Sequence, residues 1–236
     1  LVGNRGFFFG LTFTLGAGRT TAYNLDVADS VYPIVDFRAV ASQVGVNLDE
    51  AFEALDAIYD DVDARNQANT RQLDLPCHRG CDACCHESVF LTPLEFYRVW
   101  DWVQENVGAQ ARAVMIERAL EVYADNQALI EALNRPAQEG ESSHDTLARR
   151  LKFRCPLLGV DGGCSVYPVR ELLGRLFGCS FNEQGGIYGC HIVGAHLGGK
   201  TITLLPARGT ARRLQGLPFT HKRQVYPYYL NQLFGS

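Results

Sequence analysis

Four of the eight cysteines, Cys77, Cys81, Cys84 and Cys85, fall within nine residues of one another, with His78 and His86 among them. Thiolates are soft ligands that suit zinc and iron–sulfur clusters, and spacings of a few residues let a short stretch of backbone aim several at one point. Two blander readings compete. Free core cysteines fill apolar interiors singly and scattered. A disulfide framework belongs to short secreted chains, and joining the neighbours Cys84 and Cys85 would strain the backbone. A second group, Cys155, Cys164, Cys179 and Cys190, begins seventy residues after Cys85 in a glycine-rich span, so the chain offers four plus four thiols. If the first motif is partly helical, Cys77, Cys81 and either Cys84 or Cys85 share one face, because residues three and four apart stack. The vicinal pair then points about 100° apart. One of the two completes a first site, and the other turns towards Cys155 or Cys164. Zinc would draw four thiolates to about 2.3 Å, whereas a 4Fe–4S cluster would hold its sulfurs farther apart. The spacing decides between neither, and both cofactors stay open.

The run Cys77-x3-Cys81-x2-Cys84-Cys85, followed by Val89-Phe90-Leu91-Thr92-Pro93, and then Cys155-Pro156-Leu157-Leu158 to Cys164-Ser165-Val166-Tyr167-Pro168-Val169-Arg170, resembles the YkgJ-type cysteine-cluster family. That resemblance covers residues 73 to 195, about half of the chain, and implies a zinc- or iron-chelating domain. Two departures bear on the ligand set. Where the family reads Arg-Pro and then Cys-Arg, this chain reads Arg170-Glu171 and Gly174-Arg175, so a family cysteine is missing and Cys179 is the candidate replacement. The family-like positions of Arg170 and Arg175 imply that these cations offset thiolate charge. Flagellin lysine-N-methylases resemble the same cysteine cluster, so a metal-containing protein-modifying enzyme is the alternative to a structural or electron-transfer protein. Against catalysis, no glycine-rich nucleotide fingerprint follows a strand, and Cys81-x-x-Cys84 lacks the βαβ setting of a thioredoxin-like motif. The sequence leaves the question of catalysis open. His78, His86 and His191 each neighbour a cysteine; imidazole ligation competes with a hydrogen-bonding role, which eight thiols make the better reading.

Such loops need a scaffold, and the pattern of apolar residues supplies one. Asn47 with Glu50 three residues on is a helix start, and Leu48, Phe52, Leu55, Tyr59 and Val62 form one apolar face. The acidic residues opposite, Asp60, Asp61 and Asp63, read as a solvated face in preference to a carboxylate metal site. Thr92-Pro93-Leu94-Glu95 combines a capping Thr, Pro at the first helical position and Glu at the third, starting a helix with Leu94, Tyr97, Trp100, Val103 and Val107 on neighbouring turns. Ala109 to Leu133 reads as a longer helix stopped by Arg135-Pro136. Ser143 to Leu151 predicts a short helix leading into Cys155, and Lys200 to Leu205 a strand. Glycines crowd the segment from Gly159 to Gly194, where they make tight turns or let backbone N–H groups approach sulfur. Alternation from Phe7 to Leu15, a Gly16-Ala17-Gly18 turn and Thr20 to Val27 predict an N-terminal β-hairpin. Pro218 and Pro227 predict a packed, extended tail, in preference to a nucleic-acid surface built from Arg212, Arg213, Lys222 and Arg223 among Phe219, Tyr226, Tyr228 and Tyr229.

The expected fold is therefore mainly α with a small β component: helices around a Cys-rich, Gly-rich metal-binding core, plus the hairpin. Residues 1–32 form the hairpin extension, 33–195 the helical metal-binding domain and 196–236 a basic, aromatic C-terminal extension. A net charge of −4 argues against general affinity for nucleic acid. Residues 26 to 63 hold ten acids against one Arg, and six Lys or Arg with no acid follow Glu183. Two solvated surfaces, or a docking face, would explain that imbalance. The hairpin and the basic tail are the expected contacts for a protein partner. No apolar run reaches the roughly eighteen residues that would span a bilayer, and eight clustered thiols point to a reducing, cytoplasmic setting. The chain opens at Leu1 without an initiating Met, so its start is expected upstream or processed. Arg5 before Gly6 to Leu15 has the outline of a signal segment, weakened by Thr12, Thr14 and the glycines.

Overall fold

The computed structural model describes residues 32–71, 73–78, 80–136, 144–177, 180–181, 187–198 and 209–235. The expected hairpin at 1–32, the strand at 200–205 and Cys179 lie outside these residues, apart from Tyr32 at the edge of the first. The described chain is mainly helical. A short α1 (Phe37–Ser42) leads into α2 (Leu48–Thr70), whose start is capped by the Asn47 side chain accepting from the amides of Asp49 and Glu50, as its sequence signals. After the first cysteine segment come β1 (Phe90–Leu91), α3 (Pro93–Asn106) and α4 (Ala109–Asn134). Then follow α5 (His144–Arg150), α6 (Leu172–Leu176), the strands β2 (Ser180–Phe181) and β3 (Ile187–Tyr188), and α7 (His191–Leu197). The C-terminal part contributes α8 (Thr210–Gln215), β4 (Gln224–Val225) and α9 (Tyr226–Phe234).

Two small antiparallel ladders accompany the helices: β1 with β4, placing Phe90 opposite Val225, and β2 with β3, placing Ser180 opposite Tyr188. Helix α3 is the centre of the core. Leu94, Phe96, Tyr97, Val99, Trp100 and Val103 are all essentially inaccessible to solvent. Phe96 stacks on Tyr229 with ring centroids 4.7 Å apart, and Tyr97 stacks on Phe37 at the same separation. Burying such rings is worth on the order of 2–3 kcal/mol each, so these contacts carry α1 and α9 onto α3.

The tail departs from expectation. It is not extended, for Tyr226, Tyr229 and Leu230 of α9 are buried in the main core against α3 and α4. Pro227, read as favouring an extended tail, sits in the first turn of α9, where a missing N–H breaks no helical bond. Nor is the acidic face of α2 simply solvated. Asp61 pairs with Arg65 at 2.9 Å and Arg213 at 2.7 Å, Asp56 with Arg98 at 2.9 Å, and Asp63 with Arg175. No helix among the described residues is long and apolar enough to cross a membrane.

Candidate metal centre

The first cysteine segment follows α2 and is mostly non-helical. Gly80 has a φ of +89°, a backbone conformation closed to most side chains, and the amide of Cys81 closes a turn on the carbonyl of His78 at 3.0 Å. Only Ala83–His86 forms a helical turn, and it is a single 3₁₀ turn. A common helical face for Cys77, Cys81 and Cys84 or Cys85 is therefore not how these thiols are arranged: a left-handed glycine between Cys77 and Cys81 turns the chain instead.

The second segment reaches the first directly. The amide of Cys155 donates to the carbonyl of Cys85 at 2.7 Å. Lys152 forms an ion pair with Glu87, and Ser88 Oγ donates to the carbonyl of Leu151, so the chain before Cys155 runs beside the chain after Cys85. From Cys155 a tight loop returns through the bridge between Leu158 and Cys164, with the amide of Gly159 on the carbonyl of Gly163 at 2.8 Å. Its turn carries Gly162 at φ +74°, and a Cβ there would lie 2.8 Å from the carbonyl oxygen of Gly80. Two glycines in the left-handed region thus let the two cysteine loops touch.

All seven described cysteines are free thiols. Cys155 and Cys164 pack against the main core, whereas Cys190, which caps α7, is buried in a smaller cluster with Leu73, Val193 and Leu197, against which Ala83 and Cys84 rest. Burial pushes the Cys155 thiol up to about 12 and raises Cys164 as well; opposing it, the amides of Leu157 and Val166 face these two sulfurs. An N–H two residues beyond a cysteine, aimed at its sulfur, stabilises a thiolate and tunes a bound metal. In the vicinal pair a hydrogen bond from Cys85 favours ionisation of Cys84, lowering its pKa to about 6, and holds the proton on Cys85, whose own pKa is pushed up. Cys77 is raised by burial first and then by the neighbouring Cys81, Cys190 and Cys84.

Among the described residues, Arg170 is a cation that acts on these groups. Arg170 stacks over the Tyr167 ring at 4.1 Å, and its charge favours ionisation of Cys77, Cys84 and Cys164 alike. Its Nε is buried and has no hydrogen-bond partner among the described residues. Arg175, grouped with it on sequence, is engaged elsewhere: its nitrogens bind the carbonyls of Arg170 and Pro168 at 2.8 and 2.7 Å and pair with Asp63, and its guanidinium lies over the Tyr59 ring. The histidines are peripheral. His86 pairs with Asp82 at 3.5 Å, and His78 and His191 are exposed.

Two buried carboxylates, Glu95 and Glu171, make long-range contacts that the sequence reading did not anticipate. Glu95 closes the capping box of α3 with Thr92 and also accepts from the amide of Leu172 at 2.8 Å and from Tyr59. Glu171 accepts from the Tyr226 hydroxyl and is raised by burial; its charge in turn raises Cys155, Cys164 and Cys84. A signal for Glu171 was present, since it replaces the proline of the resembled motif.

No family model, curated protein or solved structure matches the chain. Among the described residues, no three His, Cys, Asp or Glu side chains are gathered tightly enough as they stand to hold a metal ion. The donor chemistry nevertheless fits a thiolate-bound centre: free thiols from two segments, amides that favour the anion at two of their sulfurs, and the Arg170 guanidinium, whose charge acts on thiols of both segments.

Proposed function

We propose that the chain is a metal-binding protein whose two cysteine segments chelate an iron–sulfur cluster or zinc, in a structural or electron-transfer role and docked to a larger assembly. The observation that carries this reading is the hydrogen bond joining Cys155 to Cys85, which lays the second cysteine segment against the first. The cysteines would hold the metal, and Arg170 would offset the negative charge of their thiolates. When bound, such a centre would supply either a crosslink between the two segments or a site for one-electron transfer. The remaining contributions belong to the protein. Partial burial of Cys155 and Cys164 restricts water, the amides of Leu157 and Val166 favour the anionic sulfur, and the Gly80–Gly162 contact keeps the two loops in register. Membership of the YkgJ-type family is part of the same proposal and rests on the motifs.

Anaerobic purification followed by metal analysis and an absorption spectrum tests the reading. Iron with sulfide and visible absorption identifies a cluster; a colourless protein with stoichiometric zinc identifies a zinc site. Cys84→Ser and Cys155→Ser are each expected to lower metal content and thermal stability together, because ligation and folding are coupled. Undiminished metal in either variant removes that residue from the ligand set.

A further inference from the structure

Cys84 and Cys85 are successive residues of a single 3₁₀ turn, and three residues per turn set adjacent side chains about 120° apart. Their sulfurs nevertheless converge. The Cys85 thiol donates a hydrogen bond to the Cys84 sulfur, so the two lie side by side. Both are free, and both residues are half-buried, within reach of solvent. The backbone on either side is held in place: the amide of Cys85 donates to the carbonyl of Asp82 at 2.8 Å, the amide of Glu87 to the carbonyl of Cys84 at 3.1 Å, and the amide of Cys155 to the carbonyl of Cys85 at 2.7 Å. A ligand that takes both sulfurs meets a pair already ordered, which lowers the entropic cost of binding.

The surroundings limit what that ligand can be. Among the described residues no three His, Cys, Asp or Glu side chains are gathered to hold an ion, so the pair as it stands suits an atom that asks for two sulfurs and no more. Cys84 also rests, with Leu75 and Ala83, on the small cluster of Leu73, Val193 and Leu197. An apolar group carried by the bound atom would therefore have hydrocarbon to lie against. Trivalent arsenic with one organic substituent has both properties, since it is soft, has two valences left for thiols, and brings its own apolar group.

We propose that Cys84 and Cys85 form a two-thiol capture site for trivalent arsenicals carrying a single organic group. The reaction is a condensation. Two arsenic–sulfur bonds replace the arsenic–oxygen double bond of R–As=O, and the two thiol protons leave with that oxygen as water. Arsenic stays trivalent and neither sulfur is oxidised. This site goes beyond the metal-binding reading and does not depend on it.

The test uses phenylarsine oxide on the full chain after reduction and removal of metal by a chelator, followed by native mass spectrometry and by peptide mapping after alkylation. One bound equivalent is expected, retained in excess glutathione and released by 2,3-dimercaptopropanol, with Cys84 and Cys85 protected from the alkylating reagent. Cys84→Ser and Cys85→Ser should each lose the glutathione-resistant adduct, whereas Cys77→Ser and Cys190→Ser should keep it. Inorganic arsenite, which asks for a third sulfur, should be stripped by the same glutathione. No resistant adduct on the unsubstituted chain, alkylation of Cys84 and Cys85 in the treated chain, or an adduct that survives Cys84→Ser overturns the assignment. None of these results bears on the metal content of the anaerobically purified chain, so the metal-binding reading stands or falls separately.

Discussion

Glu95 is a single carboxylate on which three helices meet. One oxygen accepts from the amide and hydroxyl of Thr92 at 2.8 and 2.9 Å, and the other from the amide of Leu172 and the hydroxyl of Tyr59. It therefore caps α3, caps α6 and fastens α2. Its removal leaves buried donors from three elements without an acceptor, so Glu95→Ala is expected to cost about 3 kcal/mol, measured as a lower denaturant midpoint with an unchanged slope. Half of this role is legible in the sequence, since Thr-x-x-Glu before an apolar run is a capping signature. The other half is not, because Leu172 and Tyr59 lie far along the chain and local pattern carries no trace of them. Arg175 and Glu171 were hidden for the same reason: their partners are Asp63 and Tyr226, supplied by distant helices.

At the scale of elements, what periodicity could see it saw well. Helices α2, α3 and α4 begin within a residue of the starts read at Asn47, Thr92 and Ala109. Short elements were missed: α8 and α9 lack the length for a period to register, and Pro227 misled because position within a helix, not presence, decides its effect. Because Tyr229 and Leu230 fill the core beside Phe96, a chain ending before Gln224 is expected to lose the cooperative unfolding transition in circular dichroism; retention of a native-like transition would show α9 to be dispensable. The two cysteine loops depend on an equally local feature. Gly162→Ala places a Cβ against the Gly80 carbonyl and forces a side chain into the left-handed region, a strain of about 1–3 kcal/mol. The expected outcome is lower metal retention on dialysis with little change in helix content, whereas Gly45→Ala, also left-handed but with open space around it, leaves metal retention unchanged.

Across the whole molecule, the uneven charge of the sequence becomes a set of internal pairings. The acidic face of α2 meets Arg98 of α3, Arg175 of α6 and Arg213 of α8. An exposed pair of this kind adds little, so Arg213→Ala is expected to lower stability by less than about 1 kcal/mol, with a smaller effect at high salt; thermal denaturation at two ionic strengths measures both. The two cysteine loops meet at the left-handed glycines Gly80 and Gly162, and residue type pointed to these loops while saying nothing of the stacking of Arg170 on Tyr167 or of the Glu171 charge that acts on Cys155 and Cys164. The measurement that tests the account most directly is X-ray absorption at the edge of the metal that accompanies the anaerobically purified chain. The account predicts a first shell dominated by sulfur at about 2.3 Å, diminished in Cys155→Ser. A first shell of nitrogen and oxygen only, or a purified chain with no bound metal and every thiol reacting at once with an alkylating reagent, would contradict it.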